Sequence, residues 1–438
     1  MAAKSLKEKE TKNATSGKRP KLVLAYSGGL DTSVAVHWLT AKGYDVIALH
    51  VDVGQPGDIA ALAERATAAG AAEFVSVDVK EKFATEYVFP AIKANALYED
   101  AYPLSTALAR PLIAEQLVKV AVEKGAEAVA HGCTGKGNDQ VRFDATVFAL
   151  APHLKIIAPV REWSMTREEE VEYAAANSIP VPATKEKIFS VDENLYGRSV
   201  EGGELEDPWQ EPPEEAFAWT SPPEKAKTTQ LTIEFVSGTP VSLNGRKTDP
   251  VALLLELNKV AGAAGVGRID HVESRVVGIK SRETYECPAA MTLLAAHKAL
   301  EKFVLPKDLI SFKSGVDQKF GESVYEGTWF HPLREALQAF IESTQERVTG
   351  TVKMKLHSGQ ATVAGVASPY SLYSHNLATY GAGSSFDQRA AEGFIYVFSL
   401  PMRAWGLVGS AKPETSAPKP APKGIRPKAK VGAGGGGK

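Results

Sequence analysis

The stretch Ser27-Gly28-Gly29-Leu30-Asp31-Thr32-Ser33 constrains this chain more than any other. It follows a short apolar run, Leu22-Val23-Leu24-Ala25-Tyr26, and precedes apolar residues at helical spacing, Ala35, Trp38 and Leu39. That order predicts a strand, a tight Gly-Gly turn and a helix. Two adjacent glycines permit backbone angles closed to other residues and let a ligand approach the main chain. The N–H groups of the first helical turn have no partners within the helix, and the helix dipole favours an anion there. A phosphate group is the natural guest. The loop differs from the GxxxxGK[ST] pattern, which no stretch of the chain matches. A Gly-Gly turn alone is often only a turn, and Asp31 alone reads equally as a helix cap. Asp31 and Ser33, correctly spaced after a strand, favour the phosphate reading, with Asp31 also a candidate Mg²⁺ ligand.

The same alternation continues to about residue 180. Runs at 46–51, 74–77, 126–130 and 154–158 read as strands, and 59–69, 105–124 and 167–176 as helices, with Pro111 set to kink or open the second. Regular alternation implies an α/β fold with a doubly wound parallel sheet, whose ligands bind beyond the carboxyl ends of the strands. Loops 27–33 and 131–139 both fall there. Residues 180–224 are dense in Pro and Glu and read as a linker with a long functional loop. Beyond them the pattern becomes α+β: strands at 231–235 and 272–279, helices at 251–260 and 291–303, and paired strands near 351–357 and 361–367.

The second dense constellation is His131-Gly132-Cys133-Thr134-Gly135-Lys136-Gly137-Asn138-Asp139-Gln140-Val141-Arg142-Phe143. Its glycines bring backbone close to something, while Thr134, Lys136, Asn138, Asp139 and Arg142 supply donors and charges of both signs. Mixed signs suit a zwitterionic amino acid better than a nucleotide alone. The bland alternative is a polar crossover with Asn138 capping the next helix. Cys133 lacks the surroundings of a nucleophile and reads as a small strand-end residue.

Charge separates body from tails. Residues 1–21 hold 7 basic and 2 acidic residues, residues 411–438 hold 7 and 1, and residues 22–410 are left with 36 basic against 49 acidic. An acidic body argues against nucleic acid as the main partner. With only two cysteines, Cys133 and Cys287, a disulfide framework is not expected and a reducing cytoplasm fits. No apolar stretch suggests a signal peptide or a membrane span. Both basic tails, 1–20 and 411–438, read as disordered.

The loop at 27–33 resembles the SGGxDS loop of the N-type ATP pyrophosphatases, which cleave ATP between the α and β phosphates. Residues 26–33, HGCTGKGNDQVRF at 131–143, Tyr102 with the following Leu-Ala-Arg-Pro, Ser190-Val191-Asp192-Glu193-Asn194-Leu195 and Gly267-Arg268-Ile269-Asp270 together resemble the argininosuccinate synthases, from about residue 21 to 400. That resemblance implies a ligase joining citrulline and aspartate at the expense of ATP, with release of AMP and pyrophosphate. It implies that Ala25, Tyr26, Ser27, Gly28, Gly29, Leu30, Asp31, Thr32 and Ser33, with Val51 and Gly132, hold ATP. Thr134, Asn138 and Asp139 would hold aspartate. Tyr102, Asn138, Arg142, Ser190, Ser199, Glu273 and Tyr285 would hold citrulline. Ala107 stands where some members carry Ser, with Thr106 beside it as a substitute. Asp31, Ser33 and Asp139 would be catalytic, with Mg²⁺ on Asp31.

By the same resemblance, residues 21–182 form the nucleotide-binding domain, 183–375 the synthetase domain and 376–410 an arm for oligomerisation, in a cytoplasmic homotetramer. The alternatives are another ligase of the same superfamily, such as a tRNA-modifying adenylating enzyme, and a non-catalytic nucleotide-binding module. The second leaves the mixed-charge loop unexplained.

Overall fold

The computed structural model describes residues 19–163, 165–181 and 189–410. The expectations for the two tails fall on residues 1–18 and 411–438, outside that range, apart from Arg19 and Pro20. The chain divides into two units, one running to Tyr373 and one beginning at Ser374.

The first unit opens with strands β1 (Lys21–Ala25), β2 (Asp45–Asp52), β3 (Glu73–Asp78), β4 (Ala128–Ala130) and β5 (Lys155–Ile157). They form one parallel sheet in the order β3-β2-β1-β4-β5. Alternation along β1 sends Leu22 and Leu24 to one core and Val23 to another, so both faces are covered, as a doubly wound sheet requires. The chain reverses direction of travel between β1 and β4. Ligands of such sheets bind at that switch point, and both candidate loops follow the two strands that flank it. The helix Ser105–Lys124 carries Pro111 within it, and the helix Arg167–Ala176 begins with a capping box of Thr166 and Glu169.

Next come β6 (Ser190–Asn194), β7 (Gly197–Glu201), β8 (Thr229–Val236), β9 (Thr239–Leu243), β10 (Arg246–Lys247), β11 (Arg268–Ser274), β12 (Lys280–Glu286), β13 (Gly350–His357) and β14 (Gln360–Ala367). β10-β9-β8-β13-β14 make one antiparallel sheet and β11-β12-β7-β6 another. Two expectations are corrected here. The Pro/Glu-rich region contains the β6–β7 hairpin, whose strands carry charges on both faces because ion pairs cover both. The strand placed at 272–279 ends at Ser274, and residues 275–278 turn, with Gly278 at φ 89°. The apolar Val276, Val277 and Ile279 of that turn lie exposed and do not continue the strand.

The second unit holds the helices Ala390–Phe398 and Leu400–Ser410. Phe394, Ile395, Val397, Phe398, Trp405 and Leu407 are exposed on them.

Candidate functional site

Glycine geometry shapes the first loop. Gly28 sits at φ 76°, and a β-carbon there would run into the Leu62 side chain. Its carbonyl accepts a 2.6 Å hydrogen bond from Arg65 Nη1. Gly29 starts the helix Leu30–Ala41 without a side-chain cap, which leaves the first-turn N–H groups without a side-chain acceptor. Around them stand hydroxyls: Ser27 Oγ lies 3.2 Å from Thr32 Oγ1, and Tyr26 Oη 3.3 Å from Ser33 Oγ. Gly132 passes so close that its β-carbon would lie 3.1 Å from Thr32 Cγ2. The two glycine loops therefore meet, and Val51 is buried near the end of the adjacent β2. Asp31 touches Glu170 of the helix Arg167–Ala176, and burial together with Asp31 pushes the Glu170 carboxyl up to about 8.

The second loop is held by charge. Asp139 begins the helix Asp139–Leu150 and accepts Arg110 Nε at 2.8 Å and Arg142 Nη1 at 2.9 Å. Burial raises the Asp139 pKa, but the two arginines outweigh it and hold the carboxyl below its usual range. Arg110 also pairs with Asp192 of β6. Arg142 is 3% exposed, its Nε donates to the Tyr325 carbonyl at 3.0 Å, and its Nη2 is buried with no partner. A buried guanidinium donor left unpaired is costly unless something else accepts its proton. His131 Nδ1 accepts the Cys133 N–H at 3.2 Å, so its Nε2 carries the proton toward Asp144 at 2.8 Å. Burial pushes the Cys133 thiol far up, which removes it as a nucleophile.

Strand register gathers the remaining residues on one sheet face. Asp192 pairs with Ser199, Ser199 with Tyr285, and Tyr285 with Ile269. Side chains alternate along a strand, so Ser190 and Glu273, an even number of residues from those partners, share that face. Glu273 is 2% exposed and accepts Tyr285 Oη at 2.6 Å and Tyr325 Oη at 2.5 Å. Tyr102 stacks on Tyr285 with ring centroids 4.1 Å apart, and its hydroxyl meets Thr106 Oγ1 at 2.7 Å and the Thr106 N–H at 2.9 Å. Ala107 contributes only its N–H to the same hydroxyl, at 3.3 Å. Asn138, Asp139, Arg142, Glu273, Tyr285, Tyr102 and Thr106 thus form one connected cluster. Thr134 and Ser190 are exposed outside it.

Sequence reasoning did not single out Arg110, Asp192, Glu170 or Tyr325. Arg110 stood in the quoted Leu-Ala-Arg-Pro and Asp192 in the quoted run 190–195, but neither was given a role. Tyr325 carried no local signal at all.

Comparison with known proteins shows the family. The arginosuccinate synthase N-terminal HUP domain matches residues 21–180, and the arginosuccinate synthase C-terminal domain matches residues 189–405. The argininosuccinate synthase of Dictyoglomus turgidum is 56% identical over 392 residues, covering 89% of this chain and 98% of that protein. Its counterpart in Dictyoglomus thermophilum is 55% identical over 393 residues, covering 90% and 99%. That of Symbiobacterium thermophilum is 54% identical over 398 residues, again covering 90% and 99%. The chain belongs to the argininosuccinate synthase family.

Proposed function

We propose that this protein is an ATP-dependent ligase that joins citrulline to aspartate through a citrullyl adenylate, releasing AMP and pyrophosphate. The observation that carries this reading is the buried, unpartnered Nη2 of Arg142, set beside Asp139 and joined through Tyr325 to Glu273. A donor and two acceptors of opposite charge, within one hydrogen-bonded cluster, suit the carboxylates and ammoniums of two amino acids.

The ureido oxygen of citrulline leaves badly. Its attack on the α-phosphorus forms an oxygen–phosphorus bond and breaks the bond to the pyrophosphate oxygen, and the aspartate amine then displaces AMP at the ureido carbon. No protein nucleophile is needed, so positioning and charge neutralisation do the work. The 25–33 loop, Val51 and Gly132 hold the nucleotide, with the uncapped helix N-terminus facing the departing phosphates. Ser33 and Thr32 supply hydroxyls there.

Arg142 takes the citrulline carboxylate and Glu273 its ammonium, with Tyr102, Thr106, Asn138, Ser190, Ser199 and Tyr285 around them. Thr134, Asn138 and Asp139 hold aspartate. A carboxyl kept as acidic as Asp139 is a poor base, so its contribution is to anchor an ammonium. The touching carboxyls of Asp31 and Glu170 fit the donor set of Mg²⁺, for which one or two carboxylates with substrate phosphates suffice. Bound there, the ion would neutralise charge on the leaving pyrophosphate.

The exposed apolar face of residues 390–410 supports a homotetramer, and two free cysteines fit a cytoplasmic enzyme. Light scattering at micromolar concentration tests the assembly, where a monomer mass would overturn it. Product analysis tests the chemistry, with citrulline and aspartate supplied singly and together. AMP and pyrophosphate that require both amino acids are expected for the whole reaction, and ADP with orthophosphate would overturn the mechanism.

A further inference from the structure

Tyr325 closes the helix Lys307–Tyr325, far in sequence from both glycine loops, yet its hydroxyl bridges Asn138 and Glu273. It accepts Asn138 Nδ2–H at 2.8 Å and donates to Glu273 Oε1 at 2.5 Å. The direction is forced. A carboxylate only accepts, so the phenol proton goes to Glu273 and the phenol lone pair to the amide. The far end of the amide is fixed as well, because Asn138 Oδ1 accepts the Val276 N–H at 2.8 Å. A one-way chain therefore runs from Val276 through Asn138 and Tyr325 to Glu273. The Tyr325 ring is held by a stack on Tyr98 with centroids 3.4 Å apart, and the Arg142 guanidinium lies over it at 5.0 Å. Burial raises the hydroxyl pKa far above its usual value, which keeps it a donor.

We infer that Tyr325 is a positioning residue that couples the aspartate subsite at Asn138 to the citrulline subsite at Glu273, so that filling either one orders the other. The inference rests on the assignment of those subsites proposed above. Asn138 has a second N–H to offer aspartate. Once aspartate holds it, the amide, the Tyr325 hydroxyl and the Glu273 carboxylate share one arrangement. Citrulline then meets a carboxylate whose ordering cost has already been met.

Two variants cut the chain at different points. Tyr325→Phe keeps the ring, its stack and the carbonyl that holds Arg142, and removes only the hydroxyl. Val276→Pro removes the N–H that fixes Asn138 and leaves Tyr325 and Glu273 in place. Val276 follows Arg275 in a turn closed by Gly278 N–H to Arg275 O at 2.9 Å, and the second position of such a turn favours proline.

The measurement is calorimetric titration of citrulline with and without saturating aspartate, in the presence of α,β-methylene-ATP, which blocks pyrophosphate departure. In the unaltered protein, aspartate is expected to tighten citrulline binding roughly 5- to 20-fold. Both variants should bring that ratio close to one while nucleotide affinity stays unchanged. A ratio near one in the unaltered protein, or variants that keep its ratio, would overturn the inference. If one variant shows no folding transition, the other decides. Arg142→Ala separates the two failures: unchanged citrulline affinity in that variant sinks the subsite assignment, whereas weakened affinity with coupling intact in Tyr325→Phe sinks only the role of Tyr325.

Discussion

A β-carbon placed on Gly327 would stand 2.7 Å from the Cα of Arg142 and 2.9 Å from its Cγ. Gly327 also sits at φ 78°, in the turn that brings the Tyr325 carbonyl to Arg142 Nε. Gly327→Ala meets both the left-handed backbone and this overlap, and Arg142 is the residue that must yield. A loss on the order of 2–4 kcal/mol is expected in urea unfolding. Steady-state kinetics should show the citrulline KM rising more than the ATP KM. Equal effects on the two would place the damage elsewhere.

Arg142→Lys keeps a positive charge but loses the planar fork. One arm of that fork is committed to Asp139 and the Nε to Tyr325, so Nη2 is the arm left for a substrate. Tenfold or greater weakening of citrulline is expected, equal to about 1.4 kcal/mol or more for a lost charge-assisted bond. The ATP KM should hardly move. Because Arg110 still pairs with Asp139, the variant is expected to melt within a few degrees of the unaltered protein.

What the sequence revealed and what it hid follow one physical line. The strand-turn-helix at 21–41 was legible because strand, glycines and helix adjoin in the chain. The 131–143 loop was legible because its charges are packed into a dozen residues. β6 and β7 were hidden because their charged residues find partners on both faces. Arg198 of β7 pairs with the fully buried Glu286, while Asp192 of β6 on the other face pairs with Arg110. No apolar alternation survives such pairing. Tyr325 was invisible for a different reason: it acts on Asn138 across 187 positions of sequence. The helices Lys307–Tyr325 and Pro332–Thr344 bury only a few residues each, and no reading of apolar spacing placed them.

Gly28→Ala tests the assignment of ATP to the 27–33 loop. The substitution forces a side chain into the left-handed region and against Leu62, 3.1 Å from the Arg65 Nη1 that holds the Gly28 carbonyl. ATP binding by calorimetry is expected to fall at least tenfold, while citrulline affinity, which the proposal places at the second loop, stays within about threefold. Retained ATP affinity would move the nucleotide away from this turn.

Glu301 anchors a buried cluster that makes the fold sensitive to acid. It is 5% exposed and accepts Asn95 Nδ2 at 2.7 Å and Gln345 Nε2 at 2.8 Å, with Lys313 Nζ at 3.0 Å and His297 Nε2 at 3.9 Å. Burial pushes its pKa up, but His297, Lys313 and the two amides outweigh that and hold it below the ordinary 4.5. A carboxyl depressed by folding stabilises fully above its unfolded value, and that stability is lost as pH falls through the lower folded value. Asp317, which shares Lys313, runs the other way: burial raises it to about 6, so its own proton uptake favours the fold on acidification from neutrality. Glu301→Gln should therefore cost on the order of 3 kcal/mol at pH 7, since Lys313 loses a buried partner. The difference from the unaltered protein should shrink as pH falls below the ordinary 4.5, where the unfolded chain takes up a proton that the folded Glu301 carboxyl resists. Denaturant unfolding of both proteins at pH 7 and pH 3.5 reads this directly, and a cost equal at the two values would show that the Glu301 charge is not what the cluster uses.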